Sequence, residues 1–233
     1  MCAFRSTLSG CVQVLGCACF IMMSPLCLAN SDADPWEGVN RPIFAFNDVL
    51  DTYALKPLAQ GYQLITPGVV QDGIHNVFNN LGEVKNVAND VLQVKFHSAG
   101  VDTSRFLLNS TIGLVGLIDV ATPMGLQRSD EDFGQTLGYW GVNSGPYLVL
   151  PFLGPSTLRD APAILPDAYA NPVRYMGDVP TRNSLYGVGV IDGRAQYLAS
   201  EKLMTGDKYT FIRSAYLQNR AFKINGANVK DDF

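Results

Sequence analysis

The side chains that most often do chemistry are few in this sequence and poorly spaced for it. There are two histidines, His75 and His97, and both read as surface residues rather than ligands. Gly154-Pro155-Ser156 lacks the second glycine of the nucleophile-elbow pattern G-x-S-x-G. The acidic run Ser129-Asp130-Glu131-Asp132 offers carboxylates to calcium. It has neither the alternating ligands nor the central glycine and distal glutamate of an EF-hand loop, and it reads as a solvated turn. Gly138, Gly141 and Gly145 lack the Lys-Ser/Thr pair of a phosphate loop, and their simplest role is to bend backbone beside Tyr139 and Trp140. No catalytic residue, metal ligand or cofactor is assigned. A hydrolase acting on lipid, with a Ser-His-Asp site gathered from distant positions, stays open as an alternative.

Composition narrows the classes further. The chain has 233 residues, of which 47% are apolar and 16% charged. That charge fraction lies well below the roughly 25% of soluble domains, which points to surface facing lipid or a large partner. Net charge is −4, and no basic tract suggests nucleic acid. All five cysteines (Cys2, Cys11, Cys17, Cys19, Cys27) fall in the first 27 residues, so the rest of the chain has neither disulfides nor Cys-ligated metal.

Those first residues have the pattern of a secretory leader: Arg5, then an apolar run from Cys11 to Leu28. Two ends compete. Val14-Leu15-Gly16-Cys17 matches a lipobox, in which Cys17 is acylated and becomes the new N-terminus. Alternatively, cleavage follows Cys27-Leu28-Ala29, giving a leader of residues 1–29 and one domain of residues 30–233. An uncleaved anchor is the third possibility.

The elements that follow read as mainly helical. Asn40 is placed to cap a helix running to Tyr53, with Ile43, Phe46, Leu50 and Tyr53 at helical spacing. Lys56 to Thr66 forms a second piece. Val70, Ile74, Val77, Phe78 and Leu81 begin a long amphipathic stripe, with Asn76, Asn79, Asn80, Asn86 and Asn89 on the opposite side. The run from Phe106 to Val120 is strongly apolar, yet as a helix it covers only roughly 22 Å of a hydrocarbon core about 30 Å thick. Gln135 to Trp140 and Tyr147 to Leu150 suit two short strands. A helix then opens at Pro155 and stops at Pro166, residues 171–180 are irregular, and Ile191 to Met204 and Asp207 to Asn225 close the chain as helices. In the last of these Arg213 and Arg220 are read as solvated. On periodicity alone this is a soluble helical core, and a soluble periplasmic protein that binds a hydrophobic ligand or scaffolds the envelope is the alternative function.

Longer stretches carry more information. Asp34-Pro35-Trp36-Glu37-Gly38-Val39-Asn40-Arg41-Pro42, the run Arg105 to Gly113, Gly116 to Ala121, Asp132 to Gly138, and Gly145 to Pro151 on to Arg159-Asp160 closely resemble the VacJ/MlaA family of outer-membrane lipoproteins. The resemblance runs from Asp34 to about Asn225. It implies a ring of amphipathic helices lying in the membrane plane with apolar faces outward, plus one short β-hairpin. It implies a channel that removes mislocalised phospholipids from the outer leaflet, with trimeric outer-membrane porins and a soluble periplasmic lipid carrier as partners. The implied location is the periplasmic-leaflet side of the outer membrane. It also places the first helix beside the channel, so Phe46 and Asn47 are candidate gating residues.

Overall fold

The computed structural model describes residues 34–225; Cys17 and both cleavage points lie outside the described residues. The architecture is mainly helical with one two-stranded antiparallel sheet. Helix α1 (Glu37–Leu50) passes through a π turn (Asp51–Leu55) into α2 (Lys56–Ile65). The wide turn sits where Arg194 grips both oxygens of Asp51, at 2.6 and 2.8 Å. Pro67 separates α2 from the longest helix, α3 (Gly68–Leu92), which pairs with α4 (Phe96–Thr111). Then come α5 (Phe133–Tyr139), strands β1 (Tyr147–Leu150) and β2 (Gly154–Thr157), α6 (Asp160–Ala170), α7 (Val179–Tyr197) and α8 (Lys208–Asn225).

Several expectations are corrected. Gln135 to Tyr139 is helix with Trp140 at its C-terminal cap, because extended Asp132 caps its start by accepting from the Gln135 amide at 2.9 Å. The glycines there serve packing. A Cβ on Gly134 would stand 2.6 Å from Asp160 Oδ1, and one on Gly138 2.6 Å from Ile224 Cδ1. The partner strand of β1 is Gly154–Thr157, with Pro155 opposite Val149. Both strands are sheet edges, where a residue without an N–H is tolerated. Pro166 lies inside α6 instead of ending it. Val179–Pro180 opens α7 under an Asp178 cap on the Thr181 amide, and that helix ends at Tyr197, short of Met204. Nor are the arginines of α8 solvated: Arg220 pairs with Asp132 and Asp160, and Arg213 lies 4.0 Å from Asp34.

Asn40 is the most informative correction. It lies inside α1, fully buried, and caps nothing. Its amide donates to the Tyr147 carbonyl at 3.0 Å and accepts from the Val149 N–H at 2.9 Å. Asn47, seven residues on and so on the same face, donates to the Leu150 carbonyl at 2.9 Å and accepts from the Phe152 N–H at 2.8 Å. Two side-chain amides thus stand in for a third strand along the open edge of β1. Phe152, at φ 65°, is held in its strained turn by Asn47 and by edge-to-face contact with Phe46 at 5.4 Å. An isolated hairpin is marginal in water; this one is fastened to α1 and, through Tyr147, Val149 and Tyr209, to α8.

Replacing Asn40 with Ala orphans two buried backbone groups on β1. At about 1–3 kcal/mol for each unsatisfied group, the Asn40→Ala protein is predicted to lose several kcal/mol of stability, measured by denaturant unfolding in detergent micelles.

Candidate functional site

The usual order of core and surface is inverted along α3. Asn80, Glu83, Asn86, Asn89, Asp90 and Gln93 are buried, while Val69, Val70, Val91 and Leu92 are exposed, Val69 to 84%. The inward residues recur every three or four positions, one helix face over more than three turns. Elsewhere Leu64 is 87% exposed, Ile65 80%, Val115 74% and Phe152 77%. Among the described residues, the buried apolar positions are mostly alanines, joined by Tyr147, Val149, Val173 and Tyr209. Large exposed apolar surfaces of this kind mark contact with membrane or protein. The Asn-rich face read from sequence as the polar side of an amphipathic helix is therefore the interior.

The interior is a connected polar network. Arg105 of α4, 3% exposed, donates from Nε to Glu83 at 2.9 Å and from Nη2 to Asp119 at 3.1 Å. It also reaches the Thr122 hydroxyl and the Leu126 carbonyl. Burial works to raise the Asp119 carboxyl, but bonds from Thr122, Asn109 and Arg105 outweigh it and bring it to about 2. Glu83 is pushed up, chiefly by burial, against the pull of Arg105. Asn86 donates to the Ser129 carbonyl at 2.8 Å, and Gln93 donates to Glu131 at 2.9 Å and to Thr136 at 3.1 Å. The Ser129 hydroxyl joins Asp102 and, at 3.2 Å, Asp90. The acidic run from Ser129 to Asp132 is thus woven into the interior, and only Asp130 is an exposed member. Asp90 is pushed up to about 7, first by burial and then by the charge of Asp102.

The residues first considered for chemistry do not assemble. Ser156 is buried in β2, its hydroxyl directed to the Thr157 carbonyl. His75 Nδ1 lies 2.9 Å from buried Asp192, which also accepts from Tyr62 at 3.2 Å, so this set ties α2, α3 and α7 together and holds no nucleophile aligned with a base. His97 is exposed. Gly113 and Gly116 lie in the turn after α4. A Cβ on Gly113 would meet the Ile118 carbonyl at 2.2 Å, and Gly116, at φ 91°, lies against Asn80. Among the described residues no group of three or more His, Cys, Asp or Glu side chains is arranged to hold a metal. None of the described helices is long and apolar enough to cross a membrane.

Beside the network lies a cavity of about 370 Å³ between α3, the 167–173 segment and α7. Phe78, Leu81, Leu185, Tyr186 and Val190 give it an apolar wall, and Lys85, Asp167 and Asn171 supply polar groups.

Alongside this geometry, the chain shows four similarities to known proteins. Residues 32–223 match the sequence pattern of the MlaA lipoprotein family. The chain is 37% identical over 204 residues to the intermembrane phospholipid transport system lipoprotein MlaA of Escherichia coli K12, covering 85% of this chain and 81% of that one. An uncharacterized protein of Rickettsia prowazekii is 41% identical over 186 residues, covering 78% and 74%. A solved structure described as the structural basis for maintenance of bacterial outer membrane lipid asymmetry superposes with a TM-score of 0.72 at 36% identity, covering 83% of this chain and all of that one.

The buried acid predicts a pH dependence. Folded Asp90 keeps its proton where the unfolded chain has lost it, so its contribution to stability falls as pH rises from the ordinary carboxylate range to about 7. Asp90→Asn imitates the protonated acid. Its melting temperature is predicted to exceed the parent's most clearly above about pH 7, with the gap narrowing near about pH 5.

Proposed function

Because this chain belongs to the MlaA lipoprotein family, we propose that it carries out intermembrane phospholipid transport at the outer membrane of a diderm bacterium and so maintains lipid asymmetry there. The observation that carries this reading is the inverted surface: large apolar side chains outside, a bonded polar interior inside. Such a body is costly in water, at about 25 cal/mol for each Å² of apolar surface left exposed, and suited to lipid. In our reading the helices lie in the membrane plane as a ring around an amphipathic path, on the periplasmic-leaflet side. A phospholipid headgroup needs that polar path, since a bare charge in hydrocarbon costs several kcal/mol or more, whereas the acyl chains stay in lipid. The direction we assign is removal of misplaced phospholipid from the outer leaflet, with trimeric porins as neighbours and a soluble periplasmic carrier as acceptor. No covalent step is needed. Residues 30–233 form the working domain, and Cys17 is the lipid anchor if the lipobox is used.

The first helix is the gate in this reading. Asn47 and Phe46 fasten the turn of the β-hairpin to α1. Losing both residues removes that grip and turns everything later in α1 by about 200° around the helix axis.

Two outcomes are expected. Deleting the gene raises outer-leaflet phospholipid, read by an acyltransferase that modifies only lipid of that leaflet, and weakens the barrier to detergent. A Cys17→Ser form exported by an ordinary leader still restores both and still needs detergent for extraction; full recovery as a soluble periplasmic protein favours the soluble alternative. Separately, removal of Phe46-Asn47 is predicted to harm cells that also carry the intact protein, as a mis-set channel does. An abundant, membrane-inserted but recessive variant would show that α1 is no gate.

A further inference from the structure

The cavity beside α3 is polar at one end and apolar at the other. Phe78, Leu81, Gly82 and Lys85 follow one another at positions i, i+3, i+4 and i+7, so α3 presents them as one stripe about two turns long. At the Phe78 end, Gly189 of α7 leaves room for the ring; a Cβ there would stand 3.1 Å from it. At the Lys85 end, Asp167 is bonded to Asn89, the next turn of α3.

Lys85 differs from the other lysines whose side chains are described. Lys56, Lys95, Lys208 and Lys223 each pair with a carboxylate. Among the described residues, no carboxylate lies within ion-pair distance of Lys85. Its two acidic neighbours are committed elsewhere: Asp130 pairs with Lys223, and Asp167 accepts from the Phe133 N–H at 3.1 Å and from Asn89 at 3.1 Å. An ammonium at the polar end of an apolar cavity, near two carboxylates but in direct ion pair with neither, is complementary to an amphiphile carrying a phosphate.

We propose that the cavity between α3, the 167–173 segment and α7 receives part of an acyl chain and the headgroup phosphate of a glycerophospholipid, with the Lys85 ammonium as the partner of that phosphate. The proposal rests on the phospholipid-transport reading above and adds a residue that selects phosphate-bearing lipids over uncharged ones. Phe78, Leu81 and Leu185 line the space for the chain, and Gly189 keeps it open.

The test uses the full chain purified in detergent and two probes with the same photoactivatable acyl chain. One is a phosphatidylglycerol, whose phosphate is its only charge; the other is a diacylglycerol, which has no phosphate. Phosphatidylglycerol is expected to label peptides containing Phe78–Lys85 or Leu185–Val190. In Lys85→Gln this labelling falls about tenfold, as for one lost charge-assisted bond, and in Lys85→Arg it stays within about twofold of the parent. Diacylglycerol labelling is equal in all three, which also reports that the cavity is intact. Equal phosphatidylglycerol labelling of the parent and Lys85→Gln overturns the proposal. Labelling confined to other segments overturns it too and leaves the transport reading standing, whereas no labelling of the chain by phosphatidylglycerol counts against both.

Discussion

A protein with a polar interior and an apolar exterior depends on satisfying most of its buried donors and acceptors, because only a small apolar cluster around Tyr147, Val149 and Tyr209 offsets a missed bond. Arg105 shows how this is done. A buried guanidinium without partners is prohibitively expensive. Here Glu83, Asp119, Thr122 and the Leu126 carbonyl surround it, so a single cation joins α3, α4 and the 119–126 segment. Asn109 continues the join by donating to Asp119 and accepting from the Val120 and Ala121 amides. Removing one partner leaves the others buried and charged, so the network behaves as a unit.

The same constraint explains the hairpin. Tyr147 and Val149 are buried, so an open sheet edge there leaves backbone groups with no water to complete their bonds. A larger protein covers such an edge with another strand. This one uses Asn40 and Asn47, whose amides present the same donor and acceptor as a peptide group. Helix α1 therefore does the work of a strand without being one, and its register against β1 is set by two residues seven positions apart. Any insertion or deletion between them separates the two clasps.

Much of this was legible in the sequence, and the exceptions share a cause. Helix existence in residues 40–92 followed from periodicity, and the last helix was read almost to the residue; α4 was not, since the apolar run read there was Phe106 to Val120 and the helix is Phe96–Thr111. What periodicity cannot give is which face is inside. Val70 and Asn80 mark opposite faces of α3 in any amphipathic helix, and only the solvent decides which is buried. Longer homologous stretches, not spacing, supplied that answer. The misread 135–140 segment had strand-like composition and was decided by a cap on Asp132, while Pro155 was decided by its place on a sheet edge. Asn40 was misassigned because its partners, Tyr147 and Val149, lie more than a hundred positions away. From periodicity alone the polar interior escapes as well: an asparagine-rich stripe reads as surface until something apolar is known to surround it.

The turn after α4 shows how far the surrounding phase enters the fold. Leu114 and Val115 both adopt positive φ, 54° and 61°, which is costly for a bulky and a β-branched residue. Strain of this kind amounts to about 1–3 kcal/mol for each residue. The conformation turns Leu114, Val115, Leu117 and Ile118 outward, all of them largely exposed. Moving a side chain of that size from water into hydrocarbon yields about 1.5–3 kcal/mol. The two effects are of the same order, and four apolar side chains accompany two strained backbones. In water the strain is offset only by the turn's own backbone bonds, Val115 N–H to the Ser110 carbonyl, Gly116 N–H to Asn109 and Ile118 N–H to Gly113; an apolar surrounding adds the four side chains to that side of the balance. Gly113 and Gly116 make the arrangement sterically possible, since a side chain at either would strike the Ile118 carbonyl or Asn80. The shape of this turn is therefore costly in water and suited to an apolar surrounding.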